Sequence, residues 1–125
     1  MKYKTFMIIY SVVGLLFGLS FFLAPAWTEA SYGVNLDAGG QLMARFMGSA
    51  YLGLAVIIWL VRNIISPELR RPVLAGMLVA STLGLVLGIY DRIMGIENAL
   101  AWSTVLIFLL MSIGSGYYTF KPDAA

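Results

Sequence analysis

The stretch Gly76-Met-Leu-Val-Ala80-Ser-Thr-Leu-Gly84-Leu-Val-Leu-Gly88, set inside an apolar run over 72–90, decides the fold. A step of four residues keeps successive positions on one face of a helix. Gly76, Ala80, Gly84 and Gly88 therefore make one smooth groove. In water, glycine costs a helix about 1 kcal/mol per residue relative to alanine. In hydrocarbon every backbone group must bond internally, so the helix is enforced and small residues become packing surface. Asp91 follows Gly84 by almost two turns, which points the groove at a carboxylate on the membrane edge.

The rest of the chain agrees with a bilayer setting. Of its 125 residues, 61% are hydrophobic and 11% charged, far from the composition of a soluble domain. The charges avoid long stretches, and the pattern predicts an all-α, polytopic four-helix transmembrane bundle with spans at about 5–24, 42–61, 72–90 and 99–120. Each approaches the roughly 20 residues that a hydrocarbon core demands. No linker or repeat divides the chain, so one domain is expected. Cysteine and histidine are both absent, which excludes disulfides, thiol nucleophiles, Cys/His zinc sites and imidazole chemistry. The acids Glu29, Asp37, Glu68, Asp91, Glu97 and Asp123 form no ligand motif. No catalytic residue, metal site or cofactor is expected, and the net charge of +2 calls for no nucleic-acid partner.

Taken in order, Lys2 and Lys4 precede the first span, whose Gly14-x-x-x-Gly18 patch is expected to lie against the 76–88 groove. Ala24-Pro25-Ala26 resembles a signal-peptidase site, but the apolar run is longer than a typical h-region, and it reads as a retained helix. The polar interval 25–41 contains Pro25, suited to a first helical turn, and Gly33, suited to a stop just past Tyr32. A short interfacial helix anchored by Trp27 and Tyr32 is expected there. Arg45 falls in the first turn of the second span, with Ala44-x-x-x-Gly48 as a close-packing face. Ser66-Pro67-Glu68 looks like an N-cap followed by proline at the first helical position, and Pro72 either kinks the third span or sets a short turn apart from it. Asn98 is placed to cap the fourth span, which leaves the membrane through Tyr117, Tyr118, Phe120, Lys121 and Pro122.

Charge placement then sets orientation. Lys2, Lys4, Arg62, Arg70, Arg71 and Lys121 gather on the side of the termini, while the opposite side holds only Arg45 and Arg92. Cytoplasmic loops carry the excess of Lys and Arg, so both termini are expected in the cytoplasm of a bacterium whose inner membrane holds the protein.

The polar side chains collect on the opposite, outer face. The connection between the second and third spans is short, so Arg45 and Asp91 should lie at one depth on neighbouring helices. Either they pair or Arg45 reaches lipid phosphates; alternatively Arg45, with Asp37 or Asp91, caps a cleft that orients a ligand headgroup. Asn98 and Trp102 share this face, giving Asp37, Arg45, Asp91, Asn98 and Trp102 as candidate ligand-binding residues. Tyr10 and Tyr51, inside spans, need hydroxyl partners.

The order Tyr32-Gly33, Asp37, Ala44-Arg45, Gly48, Leu52-Gly53, Arg62-Asn63, Gly95, Asn98-Ala99-Leu100 and Trp102-Ser103 resembles small bacterial four-helix membrane proteins of the DoxX-like kind. The resemblance implies a four-helix membrane fold, association with membrane complexes in some members, and emphasis on Asp37, Arg45, Asn98 and Trp102. The leading expectation is a non-catalytic membrane protein that acts through packing, as an accessory subunit or a homo-oligomer, with membrane lipids and other membrane chains as partners. Binding or transport of a lipid or isoprenoid-like molecule in an outer-side cleft capped by Arg45 is the alternative.

Overall fold

The structure is a computed structural model that describes residues 2–121; Pro122 lies outside the described residues. It is built from α1 (Tyr3–Leu23), α2 (Pro25–Ser31), α3 (Ala38–Leu60), α4 (Pro67–Ile93) and α5 (Ala101–Phe120). Four of these helices are long and apolar enough to cross a membrane. Leucines such as Leu16, Leu83 and Leu110 are well exposed along them, a surface that water would not tolerate and acyl chains would cover. The chain is a multi-pass helical membrane protein.

Helix boundaries depart from the expected ones for identifiable reasons. α3 begins at Ala38 because the Asp37 side chain accepts a hydrogen bond from Gly40 N at 2.7 Å, an N-cap that satisfies an orphan donor. Arg45 consequently lies about two turns inside the helix rather than in its first turn. α4 starts at Pro67 and runs without interruption through Pro72; Pro72 only removes the bond that its N–H would have made to the carbonyl of Glu68. Ser66 occupies the N-cap position of α4, but its side chain makes no capping bond. α5 begins at Ala101, with Asn98 Oδ1 accepting from Leu100 N at 3.0 Å just before it.

The long helices pack as two antiparallel pairs, α1 with α3 and α4 with α5, with α2 resting on the first pair. Small residues make each seam. On α1 and α3, Gly14 faces Ala55, Gly18 faces Leu52, and Gly48 lies against the backbone of Gly18 and Phe22. On α4 and α5, Gly84 accepts the ring of Phe108 and Gly88 lies beside Val105. The expected docking of the Gly14–Gly18 patch into the 76–88 groove is therefore corrected: Gly14 and Gly18 meet α3, and Gly84 and Gly88 meet α5, their own partner helices. Within the groove itself, nothing approaches Gly76.

The pairs meet at the end where the chain begins and ends. There Tyr3, Phe6, Met7 and Tyr10 of α1 pack with Ile58, Leu74, Met77, Met111 and Tyr118. Phe6 stacks on Tyr118 with ring centroids 5.4 Å apart. Tyr10 Oη lies 2.7 Å from Ser81 Oγ, a buried polar link from α1 to α4. The guanidinium of Arg70 is buried, 5.1 Å from the Tyr3 ring centroid, so one of the cations that gather on the side of the termini is part of this core.

Candidate functional site

A cavity of about 220 Å³ lies between the two pairs, reaching from Tyr10, Ile58 and Met111 of this core towards the opposite end of the helices. Its lining runs from Tyr10 to Phe21 on α1, from Met47 to Ile58 on α3 and from Ala80 to Asp91 on α4, in each case about 16 Å of helix. Phe17, Leu54, Leu87, Ile107 and Phe108 make the walls mostly apolar. Tyr51 contributes a hydroxyl that, among the described residues, has no hydrogen-bond partner, in contrast to Tyr10.

One end of the cavity is polar, and two turns of the same type build it. After α2, Gly33 takes φ +82°, with Gly33 N donating to Ala30 O and Val34 N to Glu29 O. After α4, Gly95 takes φ +76°, with Gly95 N donating to Arg92 O and Ile96 N to Asp91 O. Both are Schellman turns, which need the left-handed backbone that glycine alone adopts freely. Each places an acid, Glu29 or Asp91, four residues ahead of its glycine and at the cavity wall, and Glu97 joins them from the α4–α5 loop.

A latch holds the two turns together. Asn98 N donates to Tyr32 O at 2.8 Å, and Asn98 Nδ2 donates to Ser31 O at 3.0 Å. Thr104 Oγ1 donates to Tyr32 Oη at 2.9 Å, tying α5 to the end of α2. The latch thus closes α2 against the α4–α5 loop and brings Glu29 towards Glu97 and Asp91.

The electrostatics follow from that closure. Burial raises the Glu29 carboxyl above its usual range, and the charges of Glu97 and Asp91 push it further. Glu97 is raised by burial and then by Asp91. Among the described residues, no lysine or arginine lines the cavity or forms an ion pair with any of the three acids. Nor, among those residues, do the carboxyl groups gather closely enough to share a metal ion.

The expected site residues separate. Asp91 lines the cavity, and Asn98 supplies the latch beside it. Asp37 is the cap of α3, and Trp102 is exposed on the outside of α5 with the Arg92 guanidinium 5.7 Å from its ring centroid. Arg45 is exposed and does not line the cavity. α3 packs on α1 rather than on α4, so Arg45 and Asp91 are not on neighbouring faces. Glu29, Glu97, Tyr32 and Tyr51 line the cavity together with Asp91. The spacing of Glu29 before Gly33 and of Asp91 before Gly95 is the sequence signal that marks the first and its counterpart.

No protein-family model, no curated protein and no solved structure matches this chain.

Proposed function

We propose that this protein binds a small lipid or isoprenoid-like apolar molecule, taken from the membrane, in the cavity between its two helix pairs. The observation that carries this reading is the cavity itself: a slot with mostly apolar walls at membrane depth, ending in a polar group of side chains. Apolar pockets with few polar groups are the usual form of small-molecule sites. No step of catalysis is part of the proposal.

Native mass spectrometry of protein released from lipid nanodiscs tests it. Wild type should carry one discrete apolar adduct per chain, and Ala80→Phe, which puts a ring into the α4 wall, should lose the adduct while keeping its melting temperature. Bulk phospholipid alone on both proteins would remove the reading.

The site would face the outer side of a bacterial inner membrane, with both termini in the cytoplasm. Lys2, Lys4, Arg62, Arg70, Arg71 and Lys121 lie at the terminal end, and Glu29, Asp91 and Glu97 at the other, as the positive-inside rule favours. A reporter fused after Ala125 that is active only outside the cytoplasm would reverse this orientation.

A second reading, action as an accessory subunit or homo-oligomer, has its own support. Gly53 and Gly76 have nothing within 4 Å of where a Cβ would be, leaving small-residue faces open to another helix. A monomeric mass after gentle solubilisation, with no co-purifying chain, would argue against it. The DoxX-like resemblance is compatible with either role.

A further inference from the structure

We infer that the occupant of the cavity carries a positively charged nitrogen, making the preferred ligand a hydrophobic ammonium compound seated with its head at Glu29, Asp91 and Glu97. This deepens the proposed function and rests on it.

Charge complementarity favours a cation. The polar end presents three carboxyl groups, and among the described residues no lysine or arginine lines any part of the cavity. An anionic head, such as a fatty acid or an isoprenoid phosphate, would meet like charge in a medium that screens poorly. A neutral hydrocarbon would leave the carboxylates partly desolvated with no counter-ion. A cation offsets their mutual repulsion and gains from every one of them.

The aromatic residues favour the same head. Phe21 and Tyr32 line the cavity towards its acidic end, and Tyr51 meets Phe21 edge to face from deeper in the slot, with centroids 6.4 Å apart. Rings attract an ammonium group over their faces, most strongly where water is scarce. The Tyr51 hydroxyl, without a hydrogen-bond partner among the described residues, adds an acceptor at membrane depth. The slot spans about 16 Å of helix in all, and below its acidic end Phe17, Leu54, Leu87 and Ile107 make apolar walls for a hydrocarbon body.

The latch gives the head group its geometry. Asn98 fixes the end of α2 to the α4–α5 loop through Ser31 and Tyr32. Glu29 and Glu97, on separate segments, are thereby brought to one end of the cavity.

The test uses matched decyl probes on the full chain in zwitterionic nanodiscs, with empty nanodiscs subtracted. Decyltrimethylammonium, decanol and decyl sulfate share a tail and differ in head charge. The inference expects saturable binding of the ammonium probe about tenfold tighter than of decanol, a difference of about 1.4 kcal/mol, and weakest binding of the sulfate. The double variant Glu29→Gln/Glu97→Gln should lose that preference and bind the ammonium probe no tighter than decanol, with its helical circular-dichroism signal and melting temperature showing that it is folded. Equal saturable binding of all three probes would overturn the ammonium inference and leave the apolar site standing. Saturable binding of none would overturn both.

Discussion

Replacing Gly48 by alanine should separate α1 from α3, and the structure gives the scale of the effect. A Cβ at Gly48 would sit 2.6 Å from Phe22 N, 2.8 Å from Gly18 O and 3.1 Å from Phe21 C. All three are backbone atoms and cannot rotate away. Ordinary van der Waals contact begins at 3.4 Å, so relief from the closest atom needs the helices to part by about 0.8 Å, the difference between 3.4 and 2.6 Å. A gap of ~0.5–1 Å forfeits about a quarter to a half of each dispersion contact it opens. Overpacking a tight seam typically costs about 1–3 kcal/mol, and the upper half of that range applies where only backbone can yield. Gly53→Ala, on the same helix, adds a methyl group where nothing lies within 4 Å and should be neutral or slightly stabilising. Reversible unfolding in mixed micelles with increasing sodium dodecyl sulfate, read by circular dichroism, compares the two variants. Equal stability of Gly48→Ala and wild type would refute the seam, and so would equal damage from both variants.

Further outcomes follow from the latch, the acids and the buried polar link. Asn98→Ala removes the bonds to Ser31 O and Leu100 N; at about 0.5–1.5 kcal/mol per bond, hydrogen exchange over 25–34 and 94–100 should accelerate several-fold while the spans stay protected. Because burial, Glu97 and Asp91 raise the Glu29 carboxyl, the folded protein binds more protons than the unfolded one between the ordinary carboxylate range and the raised value. Stability of the ligand-free protein therefore falls as pH rises through that window, and Glu29→Gln should flatten the fall; a melting temperature that rises with pH there would contradict the closure of α2 on the loop. Tyr10→Phe removes the hydroxyl next to Ser81 Oγ and should cost about 0.6 kcal/mol, the average for a hydrogen bond between membrane helices, measured by the same micelle titration.

The spans were legible in the sequence because hydrocarbon length and charge avoidance leave little choice. Gly33 was legible as a helix stop for a similar reason, since few residues other than glycine take its left-handed φ. Helix pairing was not. The patches at Gly14–Gly18 and at 76–88 look interchangeable as sequence, and the facing side chains, Leu52 for one and Phe108 for the other, decide which groove is filled. The cavity was hidden for a related reason: it forms where Phe17, Leu54 and Ile107 fail to reach across, and an absence of contact leaves no local pattern. Arg45 attracted notice as a charge inside an apolar run, yet a long side chain at that depth reaches the surface and it does so away from the cavity. Arg70 went the other way, since a loop-like sequence around prolines became the first turns of α4 and took the guanidinium into the core.

The most direct test of the central claim is crystallography from a lipidic mesophase soaked with 1-bromodecane, with anomalous scattering used to find the bromine. The account places a bromine peak between the α1–α3 and α4–α5 pairs, along the wall formed by Tyr51, Leu54 and Leu87, and its loss in Ala80→Phe. Bromine found only on the lipid-facing leucines, or α3 packed directly onto α4 with no space between, would contradict it.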